Sequence, residues 1–217
     1  MTLRLTKIDE LIRGQHYHLE AADLCYFFGE YTARQRAGYS ETNQLIRNLK
    51  KGNERQGMAD YHYKEEAINR VAQMIASTVS SHINDYTFVP VPPSKCRTDA
   101  AYDDRMTAIL RIAQELNPDL DFRELVVINQ STEASHAATS SRPTPEEIMA
   151  NYRLDTSQLE GAKRNIIIFD DVLTAGSHFK AMKNFLLQHL PEANMWVLFV
   201  ARTTREADVL SFFDELE

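Results

Sequence analysis

Apolar residues recur along this chain in two rhythms. In KEEAINRVAQMIASTVSSHI, Ile68, Val71, Ala72 and Ile75 return at the spacing of one helix face, so the segment reads as a helix. DRMTAILRIAQEL keeps the same period, as does the amphipathic TNQLIRNLKK upstream. The second rhythm is the short, continuous apolar run. YTFVPVP (Tyr86–Pro92) is β-rich and stops at a rigid proline turn. ELVVINQ (Glu124–Gln130), NIIIFDD and NMWVLFVA follow, with a helical pattern from about Ser177 to Leu190 between the last two. Apolar strands separated by helices predict an α/β fold, a mostly parallel sheet flanked by helices on both faces. The part before about Lys51 is aromatic-rich and irregular, and the polar break KGNERQGMADY follows it. The expected organisation is an N-terminal helical or irregular hood over residues 1–60 and an α/β core over 61–217.

Composition narrows the picture modestly. The 217 residues suffice for one sizeable core, and 43% hydrophobic with 25% charged residues is ordinary for a globular protein. A net charge of −7 argues against a surface that binds nucleic acid throughout. No apolar run approaches the roughly 18 residues of a membrane span. The N-terminus is interrupted by charge and does not read as a signal peptide. Cys25 and Cys96 are the only cysteines, which disfavours a disulfide framework or a cysteine zinc site and suits a reducing cytoplasm. His16, His18 and Glu20 alternate in HYHLE but lack an evident fourth ligand, so a surface strand or turn is the better assignment.

In a parallel sheet, ligands bind beyond the carboxyl ends of the strands. Three loops would then share one rim: PPSKCR, INQSTEASHAATSSRPTP and DDVLTAGSH. In the last, two adjacent aspartates, Asp170 and Asp171, close an apolar strand and must lie at its exposed end, facing hydroxyls, a metal or a base. Thr174-Ala175-Gly176-Ser177 then opens a helix, and small residues there let backbone amides approach an anion. Carboxylates for a sugar diol beside amides for a phosphate suit a sugar phosphate. Taken without the acidic pair, the same loop suits an ordinary helix cap. Pro93, Ser94, Lys95 and Arg97 offer a stiff turn with a hydroxyl and two cations, which suits pyrophosphate or, equally, a solvated strand end. The middle loop, from about Ser131 to Pro145, has the length of a lid. It holds His136 and one formal cation, Arg142.

IIIFDDVLTAGS resembles the PRPP-binding motif of the type I phosphoribosyltransferases, where PRPP is 5-phosphoribosyl 1-pyrophosphate. NQLIRNLKK, FVPVPPSK with the helix after it, and ANYRLD resemble, in the same order, segments of the ComF-like, competence-associated branch. The resemblance implies that Asp170 and Asp171 contact the ribose hydroxyls and bear indirectly on Mg²⁺. It further implies that Thr174, Ala175, Gly176, Ser177 and His178 cradle the 5′-phosphate, and that the PPSKCR loop binds pyrophosphate. Arg142 is the lid residue expected to take part in catalysis. The implied activity is Mg²⁺-dependent displacement of pyrophosphate from PRPP by an unknown base, nucleotide or macromolecule. Tyr102, Asp103 and Asp104 are further candidates near Mg²⁺.

Three departures separate the chain from that branch: no cysteine zinc ribbon, AAYDDR in place of an Arg-Gly-Phe-Asn-Gln-like stretch, and Ile148 where an arginine is usual. They leave open an inert PRPP- or nucleotide-sensing module, or a competence-associated one that partners DNA. Some ComF-like proteins perturb nucleotide metabolism beside a DNA-processing partner, so a toxin or phage-defence effector with a protein partner or antitoxin is also an expectation. So is a homodimer.

Overall fold

The computed structural model describes residues 3–78, 82–132 and 143–204. In chain order the elements are β1 (Thr6–Lys7), α1 (Glu10–Arg13), β2 (Leu24–Thr32), α2 (Glu41–Leu49), α3 (His62–Thr78), β3 (Tyr86–Pro90) and α4 (Arg105–Leu116). Then come β4 (Asp121–Phe122), β5 (Val126–Ile128), α5 (Pro145–Ala150), β6 (Tyr152–Leu154), β7 (Asn165–Leu173), α6 (Ser177–His189) and β8 (Asn194–Thr204). Six strands form one sheet in the order β1-β2-β8-β7-β3-β4, with β1 antiparallel to β2 and every other neighbour parallel. The fold is therefore α/β with a mostly parallel sheet. Among the described residues no helix is long and apolar enough to cross a membrane.

The central strand β7 shows why the sheet needs cover on both faces. Successive side chains point to opposite faces. Ile166 and Ile168 join Phe179, Met182 and Leu186 of α6 in one core. Ile167 and Phe169 join the other, built with α2, α3 and α4. Burying each such side chain contributes about 1.5–3 kcal/mol, and the absence of polar alternation in NIIIF follows from this two-sided burial.

Two expectations change. The aromatic-rich N-terminal segment is not irregular throughout, because Leu24–Thr32 is a nine-residue strand parallel to β8. Phe27 and Phe28 enter opposite cores. ELVVINQ does not join the main sheet: only Val126–Ile128 is a strand, and it pairs antiparallel with Tyr152–Leu154 in a separate ribbon. The place beside β3 is already taken by β4, from Asp121–Phe122 just upstream.

Two features of the sheet set the site. Strand β3 ends at Pro90, opposite Phe169, whereas β7 runs on beside β8 through Asp170 to Leu173. The acidic pair therefore sits within a strand, not at its end, but past the end of one neighbour. Helix α2 lies close against β2: a Cβ at Gly29 would come within 2.5 Å of Thr42 Oγ1. That close seat brings Lys50, which caps α2, to the rim.

Candidate functional site

Asp170 and Asp171 are chemical neighbours with different surroundings. The alternation that sends Ile166 and Ile168 toward α6 carries Asp170 to that side, and Asp171 to the side of α2 and α4. There Lys50 Nζ lies 3.1 Å from Asp171 Oδ1, and Arg105 Nη2 lies 2.6 Å from Oδ2. Arg105 also holds Asp103 at 2.6 Å, and the buried Lys64 holds Asp103 at 2.9 Å. Five alternating charges thus run from α3 to the end of β7. Burial alone would raise the Asp171 carboxyl, but Lys50 and Arg105 override it and hold it well below the usual carboxylate range. Asp170 has no such pairing. Burial, and then the negative Asp171 beside it, push it up to about 7.

A cleft of about 300 Å³ opens over the pair, lined among others by Lys50, Ser94, Lys95, Arg105 and His178. A smaller pocket lies along Thr174–Phe179, with Ile148 in its wall. Both are lined by Asp170, Thr174 and His178, so the pocket adjoins the cleft.

Around Gly176 the loop has the geometry of an anion cradle. Gly176 has φ +89°, in the left-handed region, and precedes α6 with no side-chain cap. The carbonyls of Thr174 and Ala175 are captured from behind: His16 Nδ1 lies 2.5 Å from the first, and His18 N donates to the second at 2.8 Å. In a planar trans peptide the carbonyl of one residue points opposite to the N–H of the next. Tying back those two oxygens therefore turns the amides of Ala175 and Gly176 the other way, where the uncapped amides of α6 begin. Burial, together with the Lys50 charge, depresses His178 despite Asp171 nearby.

The proline loop is backed in a similar way. Thr132 N donates to the Ser94 carbonyl at 2.7 Å, and Ser131 Oγ accepts from Cys96 N at 3.1 Å. The Ser131 and Thr98 hydroxyls bring the Cys96 thiol down to about 7. Every peptide bond among the described residues is trans.

The expected site residues divide accordingly. Asp170, Asp171, Thr174, Ala175, Gly176, Ser177 and His178 come together, with Pro93, Ser94 and Lys95 across the cleft. Arg97 does not face them. It pairs with Glu124 at 2.7 Å and lines a neighbouring cavity with Tyr102. Asp103 is committed to Lys64 and Arg105, which leaves Asp104 as the less encumbered carboxylate at the cleft. Arg142 and His136 lie outside the described residues. Three contributors were missing from the expected site: Lys50 closes the amphipathic TNQLIRNLKK, Arg105 follows two aspartates, and His16 in HYHLE suits a surface strand or turn although it is 2% exposed. The Tyr152 hydroxyl, buried without a hydrogen-bond partner, also lies near enough to Asp170 to feel its charge.

Among the described residues no group of three or more His, Cys, Asp or Glu side chains is arranged to hold a metal ion. No family model matches the chain, and no curated protein matches it by sequence.

Proposed function

We propose that the chain is a PRPP-binding enzyme of the type I phosphoribosyltransferase kind that displaces pyrophosphate from PRPP. The observation that carries the proposal is the cradle at Thr174–His178, its amides turned outward by tied-back carbonyls, standing beside an acidic pair and across from Lys95. A 5′-phosphate suits the amides, ribose hydroxyls suit the carboxylate of Asp170, and pyrophosphate suits the proline loop with Lys95. In the reaction the bond from the anomeric carbon to pyrophosphate breaks, the acceptor bonds to that carbon, and the acceptor loses a proton. Positive charge gathers on the ribose ring meanwhile, and Asp170, the carboxylate of the pair free of ion pairs among the described residues, offsets it when ionised.

Mg²⁺ bound with pyrophosphate would neutralise the leaving group. With one carboxylate already paired to two cations, the protein fits a metal held mainly by ligand oxygens. Asp170 and Asp104 would bear on it from the protein side. The protein's own part is to orient the ribose, hold both phosphate ends and keep the reacting carbon apart from water.

Phosphorus NMR of the protein with PRPP and Mg²⁺, first without acceptor and then with a nucleobase panel, tests this directly. Pyrophosphate released by wild type but not by Asp170→Asn/Asp171→Asn supports an enzyme. PRPP left intact and unshifted sinks the proposal.

The ion pairs on Asp171 favour one alternative, a binding module that senses PRPP or a nucleotide. Tight PRPP binding without turnover, with release of a protein partner when PRPP is added, would select it. A toxin or phage-defence effector remains a use of the same chemistry. Growth arrest on expression, absent in the double Asn variant, would support that use, and a harmless wild type would oppose it.

A further inference from the structure

The N-terminal turn is tied to the cradle by more than packing. His16 is 2% exposed, and its Nδ1 lies 2.5 Å from the Thr174 carbonyl, across 158 positions of sequence. A carbonyl only accepts, so the ring must donate: Nδ1 carries the proton. Its Nε2 is buried without a partner. Burial, with the Arg202 charge beside it, lowers the tendency of the ring to take a second proton, which fits a neutral imidazole of one fixed tautomer. Arg202, at the register position opposite Leu173 on β8, donates to Gln15 Oε1 at 2.6 Å and pairs with Glu30. The residue before His16 is thus anchored to the sheet, and the residue two after it holds the Ala175 carbonyl. On the far side, His18 and Leu19 fill the space behind Gly176, where an added Cβ would meet Leu19 Cδ2 at 3.4 Å.

We propose that His16 is a positioning residue for the anion cradle: its Nδ1–H fixes the Thr174–Ala175 peptide so that the Ala175 amide faces the bound phosphate. This rests on the cradle assigned above. His16 touches no ligand itself and acts through one peptide plane. A ring that only packed would be replaceable by any side chain of similar shape. A ring that donates from Nδ1 is replaceable by asparagine, whose amide sits at the same branch point, and not by phenylalanine.

The test is calorimetric titration of wild type, His16→Phe and His16→Asn with ribose 5-phosphate and, separately, with magnesium pyrophosphate. The expected result is a Kd for ribose 5-phosphate about tenfold higher in His16→Phe and within about threefold of wild type in His16→Asn. Pyrophosphate binding should be unchanged in both. Equal ribose 5-phosphate affinity in His16→Phe and wild type overturns the positioning role and leaves the cradle standing. Wild type that binds no ribose 5-phosphate removes the cradle and the positioning role together. If His16→Phe fails to fold, the ring-nitrogen shifts of His16 in wild type decide by NMR. A protonated Nδ1 with a bare Nε2 sustains the proposal, and the opposite tautomer or a charged ring overturns it.

Discussion

Two loops face each other across the cleft, and both orient amides by having carbonyls tied back, yet their backing differs. Thr174–Gly176 rests on a nearly buried histidine and a turn anchored through Arg202 to the sheet. The proline loop rests on Ser131 and Thr132 through exposed hydrogen bonds. Hydrogen bonds sheltered from water hold geometry better than exposed ones, where water competes for each partner. The first loop is therefore built to receive one group in one place. The second is held more loosely, and under the proposed function that looseness suits a leaving group that must depart.

The largest effect should come from the residue between the loops. Asp171→Asn leaves Lys50 and Arg105 without their shared partner and should cost about 2–3 kcal/mol of stability, discounted for the partial exposure of both cations. Denaturant titration measures it. Because the Asp171 carboxyl is held below its ordinary value, its contribution is present above that value and lost as pH falls through the depressed one. Acid sensitivity should therefore move in the variant, and an unchanged acid limb would break the ion-pair account.

Gly176→Val comes next. A β-branched side chain at φ +89° costs about 1–2 kcal/mol. Affinity for ribose 5-phosphate should fall at least about tenfold while magnesium pyrophosphate binding holds. Equal loss of both ligands would erase the distinction between the loops.

Asp170→Asn should act through pH. Its carboxyl, raised to about 7, stays protonated in the fold where the unfolded chain has already ionised, so wild type should lose stability as pH rises from about 4 to about 7. Thermal melts should show that decline shrink by about 1 kcal/mol in Asp170→Asn, with the discount for its coupling to Asp171 included. The smallest effect belongs to the exposed backing. Ser131→Ala with Thr132→Val should cost less than about 0.5 kcal/mol and shift magnesium pyrophosphate affinity no more than about threefold. A larger loss would mean that the proline loop is as rigidly held as its counterpart.

These contrasts also mark how far the sequence could be read. The two-sided burial of Ile166–Phe169 was written in its unbroken apolar run, and the polar pair after it marked the rim. Leu24–Thr32 was obscured because Tyr26, Glu30 and Tyr31 interrupt the apolar pattern, and its strand character depends on β8, far along the chain. Val126–Ile128 looked like any buried strand, and no local pattern says which partner a strand will take. Lys50, Arg105 and His16 escaped for the same reason: each gains its role from a residue brought near only by the fold.

The bond from His16 to Thr174 also constrains time. It closes a loop of 158 positions and needs β2 seated on β8, which lies near the end of the described chain. Contacts so distant form late, after the closure entropy of everything between has been met. A chain emerging from the ribosome would carry the complete DDVLTAGS motif well before it had an oriented cradle. The oriented Thr174–Ala175 peptide would thus arrive with completion of the sheet, and the motif alone would not present its amides in that direction.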